Sequence, residues 1–170
     1  RLLANSLVLL MPAEYESALR HALASIRYLL GRYFLGILVQ MTGILTLVTL
    51  GMTIIGVGFR HGLVIGLLAA VLNIIPYIGP WMGAALGVML GIATNIEMDF
   101  SQELFPLVGG MVLVFLTVQI IDNVVFQPVI FSNSVNAHPL EIFIVILMAG
   151  SLAGVAGMIL AIPTYTVIRV

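Results

Sequence analysis

The residues best placed to do chemistry are carboxamides gathered around one carboxylate. Gln119, Asp122, Asn123 and Gln127 follow one another at steps of three and four residues, which makes them one polar stripe if the segment is helical. They close an uncharged run, residues 104–121, that becomes long enough to cross a bilayer if it continues to about Phe126. Asp122 then lies in or at the edge of the membrane. A carboxylate there is costly unless paired, hydrated or protonated, so it is a candidate coupling group that answers to protons or cations. The competing reading puts it at the interface, bonded to Gln119 or a neighbouring helix end. Asn73 opens the string NIIPYIGP at 73–80 and either binds substrate or bridges two helices. Pro76 and Pro80 remove amide donors and force the chain out of helix. Carbonyls freed at membrane depth are tolerated only inside protein or beside a water-filled cavity, and transporters place their sites at such breaks. A turn at the interface, anchored by Tyr77 and Trp81, has no such role. The candidates for substrate or ion binding are therefore Asp122, Gln119, Asn123, Gln127, Asn73, Pro76 and Gly79.

Other chemistries are poorly supplied. His21, His61 and His138 sit in separate connections without metal-ligand spacing, so no metal site is expected. No G-x-S-x-G elbow is present, and a chain without lysine has no lysine-bearing phosphate loop. With zero cysteines there is no thiolate nucleophile, thiolate metal site or disulfide scaffold. A net charge of -1 leaves no basic face for nucleic acid. An enzyme is not expected, nor a cofactor.

The elements that must position the candidates are membrane elements. The chain is 62% hydrophobic and 8% charged, against about 25% charged in soluble domains. Residues 33–59, 62–96, 104–121 and 142–168 carry no charge. The expected fold is all-α, a polytopic transmembrane helix bundle with a proline-broken helical hairpin, in a single transmembrane domain. An amphipathic helix over 12–32 either lies on the membrane with its arginines at the headgroups or packs on an N-terminal part not present here. Spans follow at about 34–58 and 104–126, with the hairpin at 62–96 between them and a last span at 141–168. In the first span Thr42, Thr46, Thr49 and Thr53 form a stripe that either packs or lines a path. Gly79, Gly83, Gly87 and Gly91 recur every four residues, and Gly150, Gly154 and Gly157 repeat in the last helix, which Pro163 kinks or ends. Small residues at this spacing build helix-packing faces. Ile75-Pro76 and Ile162-Pro163 form a faint internal echo of the kind that marks repeats. The chain starts at Arg1, which suggests a piece of a longer protein.

Four separated motifs carry a resemblance: NIIPYIGP at 73–80, Asp122 to Gln127-Pro128, His138-Pro139-Leu140, and GSLAGVAGMILAIPTYTVIRV at 150–170. In this order they look like the autoinducer-2 exporter family of bacterial permeases, over nearly the whole chain from about Pro12. The family-matching positions are Asn73, Pro76, Gly79, Asp122, Gln127, Pro128, His138 and Pro139. The resemblance implies a multi-pass transporter of the bacterial inner membrane, homo-oligomeric, matching the C-terminal half or so of such proteins. It implies export of autoinducer-2 or a similar small polar solute; the alternative is sodium–proton antiport. The expected partners are the lipid bilayer and a small polar solute or a monovalent cation or proton. A non-transporting membrane scaffold is the reading from another class, in which the glycine faces matter and the polar stripe does not.

Overall fold

The computed structural model describes residues 13–128 and 138–169. The sequence-stretch 1–11 and the 132–136 loop lie outside the described residues. Every element among the described residues is helical. Contacts divide the chain into two units, residues 36–132, and residues 1–35 with 133–170.

Helix α1 runs from Ala13 to Ile54 without interruption. Its charges fall at or before Arg32, and the rest of the helix is the uncharged part that hydrocarbon accepts. Toward its N-terminus Arg20 pairs with Glu16 at 2.9 Å, an i,i+4 pair. Among the described residues, three stretches are long and apolar enough to cross a membrane by length and composition: Arg20–Ile54, Phe100–Phe126 and Leu140–Ile168.

In the unit of residues 36–132, α2 (Phe59–Leu72) and α3 (Ile78–Thr94) follow α1. Their register is set by glycine. A Cβ on Gly79 would meet the Leu72 carbonyl, one on Gly83 would meet Ala69, and one on Gly87 would meet Ile65. The partner number falls as the glycine number rises, so α2 and α3 are antiparallel with backbones in contact. Gly87 and Gly91 also receive Phe115 and Met111 from the following helix. Pro80 does not break α3. It is the third residue of that helix, where the N–H has no intrahelical partner to lose. The chain reverses at Tyr77, whose φ of 66° and ψ of -48°, with the Ile78 N–H donating to the Pro76 carbonyl at 2.8 Å, make a γ-turn of the rare positive-φ kind.

Asp99 opens a π-helical turn at Phe100–Leu104 and accepts from the Ser101 and Gln102 amides at 3.0 Å each. The Gln102 amide, then the Ser101 hydroxyl and amide, hold its carboxyl below the usual carboxylate range. Helix α4 (Phe105–Ile121) continues from that turn. A common core joins Ile44, Val48 and Met52 of α1 to Ile65 and Ala69 of α2 and to Leu107, Met111, Phe115 and Val118 of α4. The outward faces are equally apolar: Leu38, Leu50, Ile54, Leu67, Leu113 and Ile120 are all exposed. Lipid is as apolar as these side chains, so close packing, not escape from water, holds the helices together. The threonine hydroxyls are taken up by helix carbonyls. Thr42, Thr46 and Thr53 donate to the carbonyls of Leu38, Thr42 and Thr49 in their own helix, and Thr49 reaches the Gly62 carbonyl.

The last helix, α5 (Pro139–Arg169), is not one straight span. It breaks at Ala153 and at Gly154, which has φ 58° and ψ -142°. Such a backbone is essentially confined to glycine. The two arms then fold against each other. A Cβ on Gly157 would meet the Ala149 carbonyl, one on Gly150 would meet Met158, and the Tyr165 hydroxyl donates to Glu141. In a continuous helix residues eight apart lie about 12 Å from each other and residues 24 apart about 36 Å. The expected single span over 141–168 is therefore a second hairpin, turning at Gly154. Gly154 supplies the turn, and among the described residues nothing lies within 4 Å of a Cβ placed there. Pro163 lies inside the second arm, whereas Pro76 lies at the tip of the first hairpin. The two Ile-Pro pairs thus occupy different places, and their echo marks no equivalence.

Spin labels at the exposed positions Leu140 and Ile168 should lie far short of the roughly 42 Å expected across a straight helix; a separation near that value would refute the fold-back. Gly79→Ala should lower the unfolding free energy of the full-length protein in detergent by about 3 kcal/mol, because its Cβ would meet backbone. Gly91→Ala should cost about 1 kcal/mol or less, because the atom it meets is the flexible end of Met111.

Candidate functional site

Asp122 is 1% exposed, in surroundings that are otherwise largely apolar. Three side-chain amides surround it. Gln40 Nε2 donates to Oδ1 at 2.6 Å, Gln127 Nε2 to Oδ2 at 3.0 Å, and Asn73 Nδ2 lies at 3.5 Å from Oδ2. Each comes from a different element: α1, the end of α2, and the residue that follows α4 and its π turn. Gln40 and Asn73 are themselves buried. Among the described residues, the hydrogen-bond partners of this carboxyl group are neutral amides.

The local backbone explains how Gln127 arrives. Residues Asp122–Phe126 form a π-helical turn, closed by the Gln127 N–H donating to the Asp122 carbonyl. Side chains five apart are roughly 140° apart around an α-helix. The wider π turn brings them together, and single π turns of this kind occur often at functional sites. Gln127 also donates to Asn123 Oδ1 at 2.9 Å, and Gln119 donates to the same oxygen at 3.2 Å. The expected polar stripe therefore splits. Asn123 is exposed and gathers the two glutamines, while Asp122 turns inward.

Asn73 caps the C-terminal end of α2, which delivers its amide to Asp122. Pro76 offers its carbonyl to the turn and Gly79 packs on Leu72, and no side-chain contact to Asp122 comes from either. They shape the turn that carries Asn73. Gln40 was not among the expected residues. It is the only carboxamide in the uncharged run 33–59, and a lone polar side chain in such a run was the available signal. Phe126, the last residue of the π turn, lies on Gly43 of α1, where a Cβ would not fit. His138 receives the Leu140 N–H at 3.3 Å and acts as a helix start. Among the described residues no group of three His, Cys, Asp or Glu side chains could hold a metal.

A cavity of about 370 Å³ adjoins the carboxylate. Asn73, Gln119 and Asp122 are its polar lining, and residues such as Ile44, Val48, Ala84, Val88 and Phe115 its apolar lining. Trp81 also lines it and is 72% exposed. Pockets of about 300 Å³ and above hold small molecules.

An all-helical, multi-pass arrangement with a buried polar site beside a cavity is one that membrane transport proteins use. More specifically, the chain belongs to the family described as AI-2E family transporter, which matches residues 1–170. It is similar to the "Putative transport protein YueF" of Bacillus subtilis (strain 168), 38% identical over 58 residues, covering 34% of this chain and 16% of that protein. It is similar also to the "Putative permease PerM" of Escherichia coli (strain K12), 41% identical over 56 residues, or 33% of this chain and 16% of the relative. A third similarity is to the "Putative transport protein YrrI" of Bacillus subtilis (strain 168), 36% identical over 66 residues, 37% of this chain and 19% of that protein. The matched segments thus span less than a fifth of these relatives. No solved structure matches.

Gln40→Leu should destabilise the full-length protein by about 2 kcal/mol, because a buried charge loses one of its donors. Adding Asp122→Asn should recover part of that loss, and a double-mutant cycle on thermal unfolding should read a coupling of about 1–3 kcal/mol. Additive effects would mean that the two side chains do not interact.

Proposed function

We propose that this chain supplies the transport site of a secondary transporter in the bacterial inner membrane, exporting autoinducer-2 or a similar small polar solute. The observation that carries the reading is Asp122, a buried carboxyl group held by Gln40, Asn73 and Gln127 and lining a cavity. A purely structural helix contact needs no carboxylate at such a place, where its charge costs several times what an amide would. On this reading Asp122 is the proton- or cation-responsive group, Gln119 and Asn123 extend the polar path beside it, and the working protein is a homo-oligomer.

Sodium–proton antiport is the second reading, and the same carboxylate favours it. Each surrounding amide has a carbonyl oxygen as well as an NH₂ group, so rotation of Gln40, Asn73 and Gln127 turns a cradle for an anion into oxygen donors for a cation. A scaffold without transport leaves the carboxylate idle. It predicts that Gly83→Leu impairs assembly while Gln119→Leu and Asp122→Asn change nothing.

Full-length protein in vesicles, assayed for autoinducer-2 and for sodium under a proton gradient, tests these readings. Asp122→Asn should lower the supported flux by about tenfold or more, a loss of at least one decade in rate, and flatten its pH dependence. An unchanged rate with an unchanged pH profile would overturn the role of Asp122.

A further inference from the structure

Gln119 and Gln127 meet at one oxygen. Each donates through Nε2 to Asn123 Oδ1, at 3.2 Å and 2.9 Å, and each stands four residues from Asn123. Pairs at this spacing support a helix slightly whatever else they do. Here the bonds continue inward. Gln127 Nε2 also donates to Asp122 Oδ2, the oxygen toward which Asn73 Nδ2 is directed as well. Asp122, Gln127, Asn123 and Gln119 are thus linked in series. The two ends of the series, Asp122 and Gln119, line the cavity, and the two middle members are not among its lining residues.

Each link fixes the next. A carboxyl oxygen without a proton only accepts, and Oδ2 keeps that character both in an ionised Asp122 and in one protonated on Oδ1. It therefore takes the NH₂ end of Gln127. The second hydrogen of that NH₂ requires an acceptor, which selects the carbonyl end of Asn123 over its amide end. The same Asn123 oxygen then draws the NH₂ end of Gln119. Among the described residues this is the one side-chain hydrogen bond of Gln119, and it leaves the carbonyl end without a partner. Gln127 differs, since Asp122 anchors it from the other side.

We infer that Asn123 is a positioning residue of the site: it keeps the NH₂ end of Gln119 occupied, so that the cavity offers a solute the Gln119 carbonyl oxygen. Asn123 itself does not touch the solute. A carbonyl oxygen accepts from the hydroxyl of a small polar solute and also ligates an alkali cation, so it suits either transported species proposed above. This rests on the cavity being the solute site. It adds a residue outside the cavity that sets which half of an amide the solute meets.

Full-length protein in phosphatidylcholine vesicles is assayed with autoinducer-2 and with sodium under a proton gradient, and KM and maximal rate are read for the probe that moves saturably. Asn123 is exposed, and Asn123→Ala puts there the residue that helices favour most, so the variant folds. It should raise KM by about fivefold, the worth of one ordinary hydrogen bond, with a smaller change in maximal rate. Asn123→Asp keeps an acceptor oxygen at that place and should recover most of the loss. In a Gln119→Leu background, adding Asn123→Ala should raise KM by no more than about twofold, because Asn123 acts through Gln119. An unaltered KM in Asn123→Ala would overturn the inference, as would equal losses in Asn123→Ala and Asn123→Asp, or an effect that survives Gln119→Leu undiminished. A fall in maximal rate alone is what a weakened helix gives, and it too counts against the positioning role. The outcome separates from the role of Asp122. Unaltered flux in Asp122→Asn with KM raised in Asn123→Ala removes the coupling role and keeps Asn123. Lost flux in Asp122→Asn with KM unaltered in Asn123→Ala does the reverse. Saturable movement of neither probe by the wild type removes the solute site and the positioning role together.

Discussion

A carboxylate among apolar side chains has to find its donors within the protein, and much of the unit over residues 36–132 is arranged so that Asp122 can. Gln40 must lie on the inward face of α1, which the stripe of Ile44, Val48 and Met52 fixes a turn or more further along. Asn73 must end α2 at the right height, which depends on how closely α2 and α3 approach. Gln127 must be wound back onto Asp122, which needs a turn wider than an α-helix allows. Remove any one of these and the charge loses a partner that lipid cannot replace. The hydrogen bonds are few, but they tie together segments far apart in sequence.

Close approach is the second constraint. With apolar residues outside as well as inside, burial of oily surface gives little reason for one arrangement over another. Shape supplies it. Gly79 and Gly83 let α3 lie on the backbone of α2, and Gly62 and Gly66 do the same for α2 against α1. In the other unit Gly150 and Gly157 let the arms of α5 meet, with Gly154 making the reversal. The same residue type therefore has two duties here, contact at most of these places and backbone freedom at one.

The sequence was informative where a residue type is expensive in lipid and silent where geometry is unusual. Asp122 stood out because a carboxylate at the end of an uncharged run has few bland explanations, and Asn73 because it precedes a proline. The all-helical membrane class followed from the placement of thirteen charges outside the apolar runs. Gln40 carries no such signal, because no carboxylate lies beside it in sequence as Asp122 lies beside Gln119, Asn123 and Gln127. The inward turn of Asp122 away from Asn123 was hidden because a stripe drawn at steps of three and four assumes α-helical winding. The reversal at Gly154 was hidden for a related reason. Gly150, Gly154 and Gly157 keep the rhythm of a packing face, and nothing in composition separates a glycine that packs from one that turns.

The π turn at Asp122–Phe126 has a bearing on how related chains should be compared. It holds one residue more than an α-helix would place over the same rise, so it is an insertion that costs no loop. A relative with a single-residue gap here would lack no surface excursion; it would be wound differently, with everything beyond the gap rotated by about 100°. Its equivalent of Gln127 would then face elsewhere. An alignment that slides such a gap into the following loop to improve its score would pair residues that share a column and not a direction.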